Sequence, residues 1–166
     1  MAVTINGSGQ VVVQVQSTTL TTTFSTNSGS YTDVTGLSVS ITPTNSANKI
    51  LVLLNVSIAG WSSSGNGLQL VRGSTPICIA TGTSGQQISS LGDSYLGGND
   101  RVVTQALSFL DSPATTSATT YKTQAIGGSG GGGANFVYVN RDANDTGNTS
   151  HTRAISTITV MEIAYA

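Results

Sequence analysis

The chain is poorly supplied with groups that transfer protons, attack carbonyls or bind transition metals. It carries one histidine, His151, one cysteine, Cys78, and one glutamate, Glu162. A Ser–His–Asp triad is recognised by geometry rather than by chain order, so composition alone leaves one open. No serine is expected in a G-x-S-x-G elbow between a strand and a helix, however, and His151 sits in a polar stretch beside Thr149, Ser150 and Thr152. The expectation is a solvated loop histidine in a protein that is not an enzyme. Gly128 to Gly133 formally contains G-x-G-x-x-G. That motif holds a pyrophosphate only when a helix N-terminus follows, and here the apolar run Phe136 to Val139 reads as a strand.

Two further groups of residues bear on binding. Asp142, Asn144 and Asp145 cluster in one loop, and Ca²⁺ takes oxygen ligands from such loops, although the spacing is not that of an EF-hand. Ordinary Asx turns explain the same residues. No cofactor is expected beyond that calcium alternative. Trp61 and Tyr95 lie in Gly/Ser-rich segments, where an exposed ring can stack on a sugar, or can cap the edge of the core. With Arg141 and Asp142 of the polar loop they form the candidate receptor or glycan contacts. Cys78 lies in the apolar run Pro76 to Ala80 and reads as a buried, inert thiol.

The elements that hold these residues are strands. Of 166 residues only 8% are charged, far below the roughly 25% of an ordinary domain. The net charge is -1, so no basic patch for a phosphate backbone exists and nucleic acid is not an expected partner. Polarity comes instead from 23 Ser and 25 Thr beside 20 Gly. Thr suits strands, and Ser and Gly suit turns. A neutral, hydroxyl-rich surface also packs against copies of itself with few charges to desolvate. No stretch approaches the ~20 apolar residues of a membrane span. The N-terminal residues lack the basic and apolar regions of a secretion signal.

Period-two alternation marks strands at Val11 to Gln16, Tyr31 to Thr42, Lys49 to Ala59, Tyr121 to Ile126, Phe136 to Val139 and Arg153 to Tyr165. Leu68 to Arg72 and Ile77 to Ala80 pair across Gly73-Ser74, and Pro43 ends the strand before it. Arg101 to Leu110 fits helix or strand spacing, and its strand-rich surroundings favour a strand. Thr81 to Asp100 reads as a long loop with one short strand at most. Eight or nine strands with frequent turns predict an all-β, jelly-roll-type β-sandwich. Residues 1–30 read as an extended N-terminal arm and residues 31–166 as the sandwich domain.

Several stretches carry a resemblance to a known family. They are Tyr31 to Pro43 leading into Asn48 to Val52; Leu110 to Pro113 with Thr119 to Lys122; and Val139-Asn140-Arg141 with Ser156 to Ile163. In that order they resemble the β-sandwich module at the C-terminal ends of phage tail-fibre-like proteins, and Met1 to Gly7 is similar to the start of such viral proteins. The resemblance implies a C1q/TNF-like jelly roll that forms a homotrimer with its final strand near the threefold axis. It would place some of Ile158, Val160, Met161, Ile163 and Tyr165 at subunit contacts; the alternative is that they fill the core of one chain. It also implies a place on a tailed-phage virion surface, as a fibre or knob in host adsorption, with other virion proteins of tail or capsid and a host-surface glycan or protein as partners. Long fibres place this module behind a shaft, whereas only about 30 residues precede it here. Capsid decoration therefore stays open, as do a carbohydrate-binding module and an extracellular filament subunit.

Overall fold

The computed structural model describes residues 9–60, 65–93, 101–127 and 136–165. Eleven strands and no helix occur among them. They are β1 (Gln10–Leu20), β2 (Phe24–Thr26), β3 (Thr32–Ile41), β4 (Lys49–Gly60), β5 (Asn66–Arg72), β6 (Thr75–Ile77), β7 (Leu91–Asp93), β8 (Val103–Asp111), β9 (Thr119–Ile126), β10 (Val137–Val139) and β11 (Ser156–Tyr165).

β4 shows how side-chain period becomes a layer. Ile50, Val52, Leu54, Val56 and Ile58 are all at most 1% exposed, while Leu51 and Leu53 between them are half-buried on the opposite face. β8 runs along one edge of β4 from Ile50↔Asp111 to Ile58↔Val103. The other edge is shared: β11 covers Lys49 to Asn55 and β10 covers Ile58 to Gly60. β1 lies outside β11 and β2 lies outside β10. The second sheet repeats the device, with order β3–β9–β5 and β6 and β7 each pairing part of the remaining edge of β5.

Counting β1/β2, β6/β7 and β10/β11 each as one interrupted strand leaves eight strands. Their orders are 1-8-3-6 and 2-7-4-5, antiparallel throughout, which is a jelly-roll sandwich. The expected fold class is therefore the observed one. Leu37, Val39 and Ile41 of β3, Leu68 and Leu70 of β5, and Tyr121 and Ala125 of β9 meet the inner residues of β4, β10 and β11 in one core. At about 25 cal/mol per Å² of apolar surface removed from water, this single core is the main source of stability. The ambiguous segment Arg101 to Leu110 lies within or beside strand β8, because Leu107 and Phe109 pack inward at alternate positions.

The expected arm does not stand apart. From Gln10 to Leu20 it pairs along nearly the whole of β11, and Leu20 is in the core. Its alternation reads as a half-buried strand with Val11, Val13 and Val15 on one face, but these are 37%, 44% and 49% exposed. A register shift between Val12 and Gln14 breaks their common face, and the residues it buries in part or in full are Gln14, Thr18 and Leu20. Gly36 explains an irregularity in β3. The register jumps between Asp33 and Ser38, Gly36 has φ +86°, and a Cβ there would lie 2.9 Å from Leu20 Cδ1. Cys78 departs from expectation as well. It follows β6, is only partly buried and has φ +51°; what burial it has pushes its thiol pKa up, away from reactive thiolate.

Candidate functional site

The excursion between β10 and β11 contains two of the expected contact residues. Asn140, wholly buried at φ +62°, anchors it. Its side-chain amide donates to the Leu20 and Thr22 carbonyls at 2.8 and 2.9 Å, at the break between β1 and β2. Its Oδ1 accepts from Ser156 Oγ at 2.6 Å, and its carbonyl accepts from Ala154 N at 3.0 Å, closing the loop. Its side chain thus satisfies two backbone carbonyls at the β1–β2 break, while its Oδ1 and its own carbonyl tie down the return into β11.

Inside this loop Asp142 is 0% exposed. Its carboxylate accepts from the backbone N–H of Asp145 at 2.6 Å and of Thr152 at 3.3 Å, and lies 2.9 Å from His151 Nδ1. Burial pushes its pKa up, but those hydrogen bonds and the imidazole outweigh burial, so the carboxyl sits below its usual range. An aspartate holding a histidine ring is the supporting half of a catalytic triad. Here the same aspartate is committed to two backbone groups of its own loop, which makes it a loop staple. His151 is partly buried and bound to this staple, which corrects the expectation of a solvated side chain.

Arg141 is engaged from three directions. Its guanidinium lies 4.2 Å over the Tyr138 ring, which stacks on Phe136 at 5.6 Å; it donates to the Asp142 carbonyl and stands 3.9 Å from Asp145. Arg153 adds a two-pronged pair to Asp145, with both bonds at 2.9 Å. Asp142 is therefore corrected as a receptor or glycan contact: it is enclosed, and its oxygens already have donors. Calcium fits poorly for the same reason, since Asp145 faces two guanidinium groups and Asp142 accepts three N–H donors. Among the described residues no cluster of three metal-ligating side chains occurs. Trp61 and Tyr95 lie outside the described residues.

The expected subunit-contact residues divide between two faces of β11. Ile158 and Val160 are 0% exposed and belong to the core, which corrects their placement at a contact with another chain. Met161 and Ile163 lie on the outer face, Met161 half-buried and Ile163 nearly covered; the Tyr165 side chain is outside the described set. Register carries an apolar row across that face: Val15 pairs Met161, Met161 pairs Leu51, and Leu51 pairs Leu110. Beside it Val12 pairs Ile163, and Leu53 lies opposite Thr159. Val12, Val15 and Leu110 are 50%, 49% and 44% exposed, so this end of the sheet presents a broad apolar surface to solvent. The only charged side chain at the outward positions of β4, β8 and β11 is Lys49, whose Nζ donates to Ser112 Oγ.

Sequence reasoning missed the polar residues of the core. Glu162 is 0% exposed and accepts from Asn48 Nδ2 and Gln14 Nε2 at 2.6 Å each, and from Thr44 N and Oγ1 at 2.7 and 2.8 Å. Burial alone would raise its pKa, but these bonds to the ionised form win and hold it at about 2. A signal was present: Glu162 is in phase with Ile158 and Val160. Asp111 similarly gathers Tyr121 OH at 2.7 Å and Arg72 Nη1 at 2.8 and 2.9 Å, joining the two sheets at one end. A scan of protein-family models gives no match to this chain, and a search of curated proteins gives none.

Proposed function

We propose that this chain is a non-enzymatic structural protein of a tailed-phage virion surface, a homotrimeric fibre or knob that takes part in host adsorption. The observation that supports it is the row Val15–Met161–Leu51–Leu110 with Val12 and Ile163 beside it, an apolar surface left on the outside of the sheet that contains the final strand. Apolar area of this kind is removed from water most readily by another subunit. A near-uncharged face favours a second copy of itself, because neither side has charges to desolvate or to match. The jelly-roll topology is the one the family resemblance implies, and a trimer contact near the last strand belongs to the same expectation.

The test has two parts. Native mass and sedimentation of the recombinant chain across micromolar concentrations should give a trimer, and Leu110→Lys and Val15→Lys should give folded monomers. Both side chains are exposed in one chain, so loss of assembly with unchanged circular dichroism is the expected reading. A wild-type monomer throughout that range removes the trimer proposal. Immunogold labelling of virions of the source virus then assigns the place: label on the tail supports adsorption, label over the head makes the protein a capsid decoration, and no label rejects the virion reading.

A further inference from the structure

Away from that face, at the edge of the other sheet where β6 and β7 share β5, lies an open depression of about 530 Å³. Its described lining includes Gly65, Asn66, Gln87, Ser89, Ser90 and Gly92, with not one charged side chain. Its size is that of a small-molecule site. Most of the polar groups in it are held in place. Ser89 Oγ is 2.6 Å from Tyr31 OH, which itself donates to the Ile88 carbonyl at 2.8 Å. Ser90 Oγ donates to the Ile77 carbonyl and accepts from Leu70 N at 2.9 Å. Gly67 has no side chain to displace this arrangement; a Cβ there would collide with Ser89 Oγ and come within 3.0 Å of Tyr31 OH.

Asn66 is the exception. It is 4% exposed, its amide rests against Gly60, and its Oδ1 is buried without a hydrogen-bond partner. A second buried amide oxygen without a partner, Gln105 Oε1, lies close by, since Gln105 Nε2 reaches the carbonyl of the same Gly92 at 3.4 Å. Buried acceptors left unmade are costly and uncommon, and a donor supplied from outside removes the cost. Amides and serine hydroxyls offer both donors and acceptors, and they match a ligand whose groups also do both. No cation is present among the described lining residues to favour a phosphate or carboxylate, and no anion to favour an amine.

We infer that this depression is a binding site for a neutral, polyhydroxylated ligand, a sugar residue of a glycan, with Asn66 Oδ1 as the buried acceptor of a ligand hydroxyl and Gln87, whose Nε2 reaches the Gly127 carbonyl at 3.4 Å, as the exposed amide at its rim. The inference concerns a different surface from the proposed self-association and stands whether or not the chain assembles. The site differs from the Arg141 and Asp142 loop, whose polar groups are already paired within the chain.

The experiment is an NMR titration of isotope-labelled protein with methyl glucoside, methyl galactoside and methyl N-acetylglucosaminide, each into the tens-of-millimolar range, with glucuronate as the anionic contrast. Saturable shifts at the side-chain amides of Asn66 and Gln87 and at the backbone of 87–92 are expected for at least one neutral probe, and none for glucuronate. Gln87→Ala, at an exposed position, should weaken that binding roughly threefold to tenfold, the loss of one neutral hydrogen bond. Ala80→Phe, also at an exposed position on the rim, should abolish it with the fold intact. No saturable shift with any neutral probe, or shifts that both variants leave unchanged, would overturn the inference and leave the Asn66 oxygen to ordered water.

Discussion

Gln14 Nε2 donates to Glu162 Oε2 at 2.6 Å, and the same amide reaches the Thr42 carbonyl at 2.7 Å, so one side chain on the first strand ties the last strand to the end of β3. The carboxylate it serves is buried, and among the described residues it has no cationic partner. A buried anion held only by neutral donors keeps its charge because several dipoles converge on it, and it loses that support when it is protonated.

Acid should therefore weaken the fold through Glu162. Its pKa is about 2 when folded against 4.5 as the ordinary value, so its contribution is fully present above about pH 4.5 and is lost as pH falls toward 2. The difference corresponds to about 3 kcal/mol as an upper figure, at 1.36 kcal/mol per unit. Urea unfolding at stepped pH should show this loss in the wild type and a shallower profile in Glu162→Gln, which should also be less stable at pH 7. Parallel profiles for the two proteins would refute the assignment.

Alkali should act at Tyr121. Burial first, then its hydrogen bond to Asp111 and the negative charge there, push the phenol far above its ordinary range. The unfolded chain ionises this tyrosine near pH 10 and the folded chain does not, so stability falls as pH rises through the unfolded value. Tyr121→Phe should remove that alkaline component and cost roughly 1.5–3 kcal/mol at neutral pH, the range for a hydrogen bond to a charged group. Denaturation midpoints of the two proteins between pH 7 and about 11 check both claims.

Removal of residues 10–26 should destabilise the whole sandwich rather than trim an arm. It bares the edge of β11, takes Leu20 out of the core and strips Gln14 from Glu162. The expected product is aggregated or lacks a cooperative thermal transition. A soluble product with an unchanged melting temperature would restore the arm reading.

Gly36→Ala should cost about 1–2 kcal/mol, because φ +86° is unfavourable for any residue with a Cβ. It should exceed Gly73→Ala, since Gly73 at φ +60° has open space around it while Gly36 abuts Leu20. Equal thermal shifts for the two variants would count against the contact with Leu20.

Much of the strand pattern was legible because alternation is a local property. Ile50 to Ile58 and Leu37 to Ile41 announce a buried face from their own spacing. The turn at Gly73-Ser74 also forms, but the strand after it is Thr75–Ile77 rather than the expected Ile77 to Ala80. The tight turn sets Arg72 opposite Thr75, and only Ile77 of the expected segment pairs with β5, opposite Leu70. The candidate site was less legible. Asp142 looked like a surface loop residue because its donors, Asp145 N, His151 Nδ1 and Thr152 N, come together only when the loop closes on Asn140. Asn66 carries no signal in the sequence, and its unpartnered oxygen is visible only once Gly60 lies against its amide.

The sequence by itself determined the all-β class, the low charge and the apolar phase of each long strand, because these follow from residue type and a period of two. Tertiary structure decided which strands are neighbours, and with them whether residues 10–20 form an arm or an edge strand, and which of Ile158, Val160, Met161 and Ile163 face outward. Alternation says that two faces differ but not which one is covered. That is settled by the partner layer, through contacts between residues more than a hundred positions apart, such as Gln14 with Glu162.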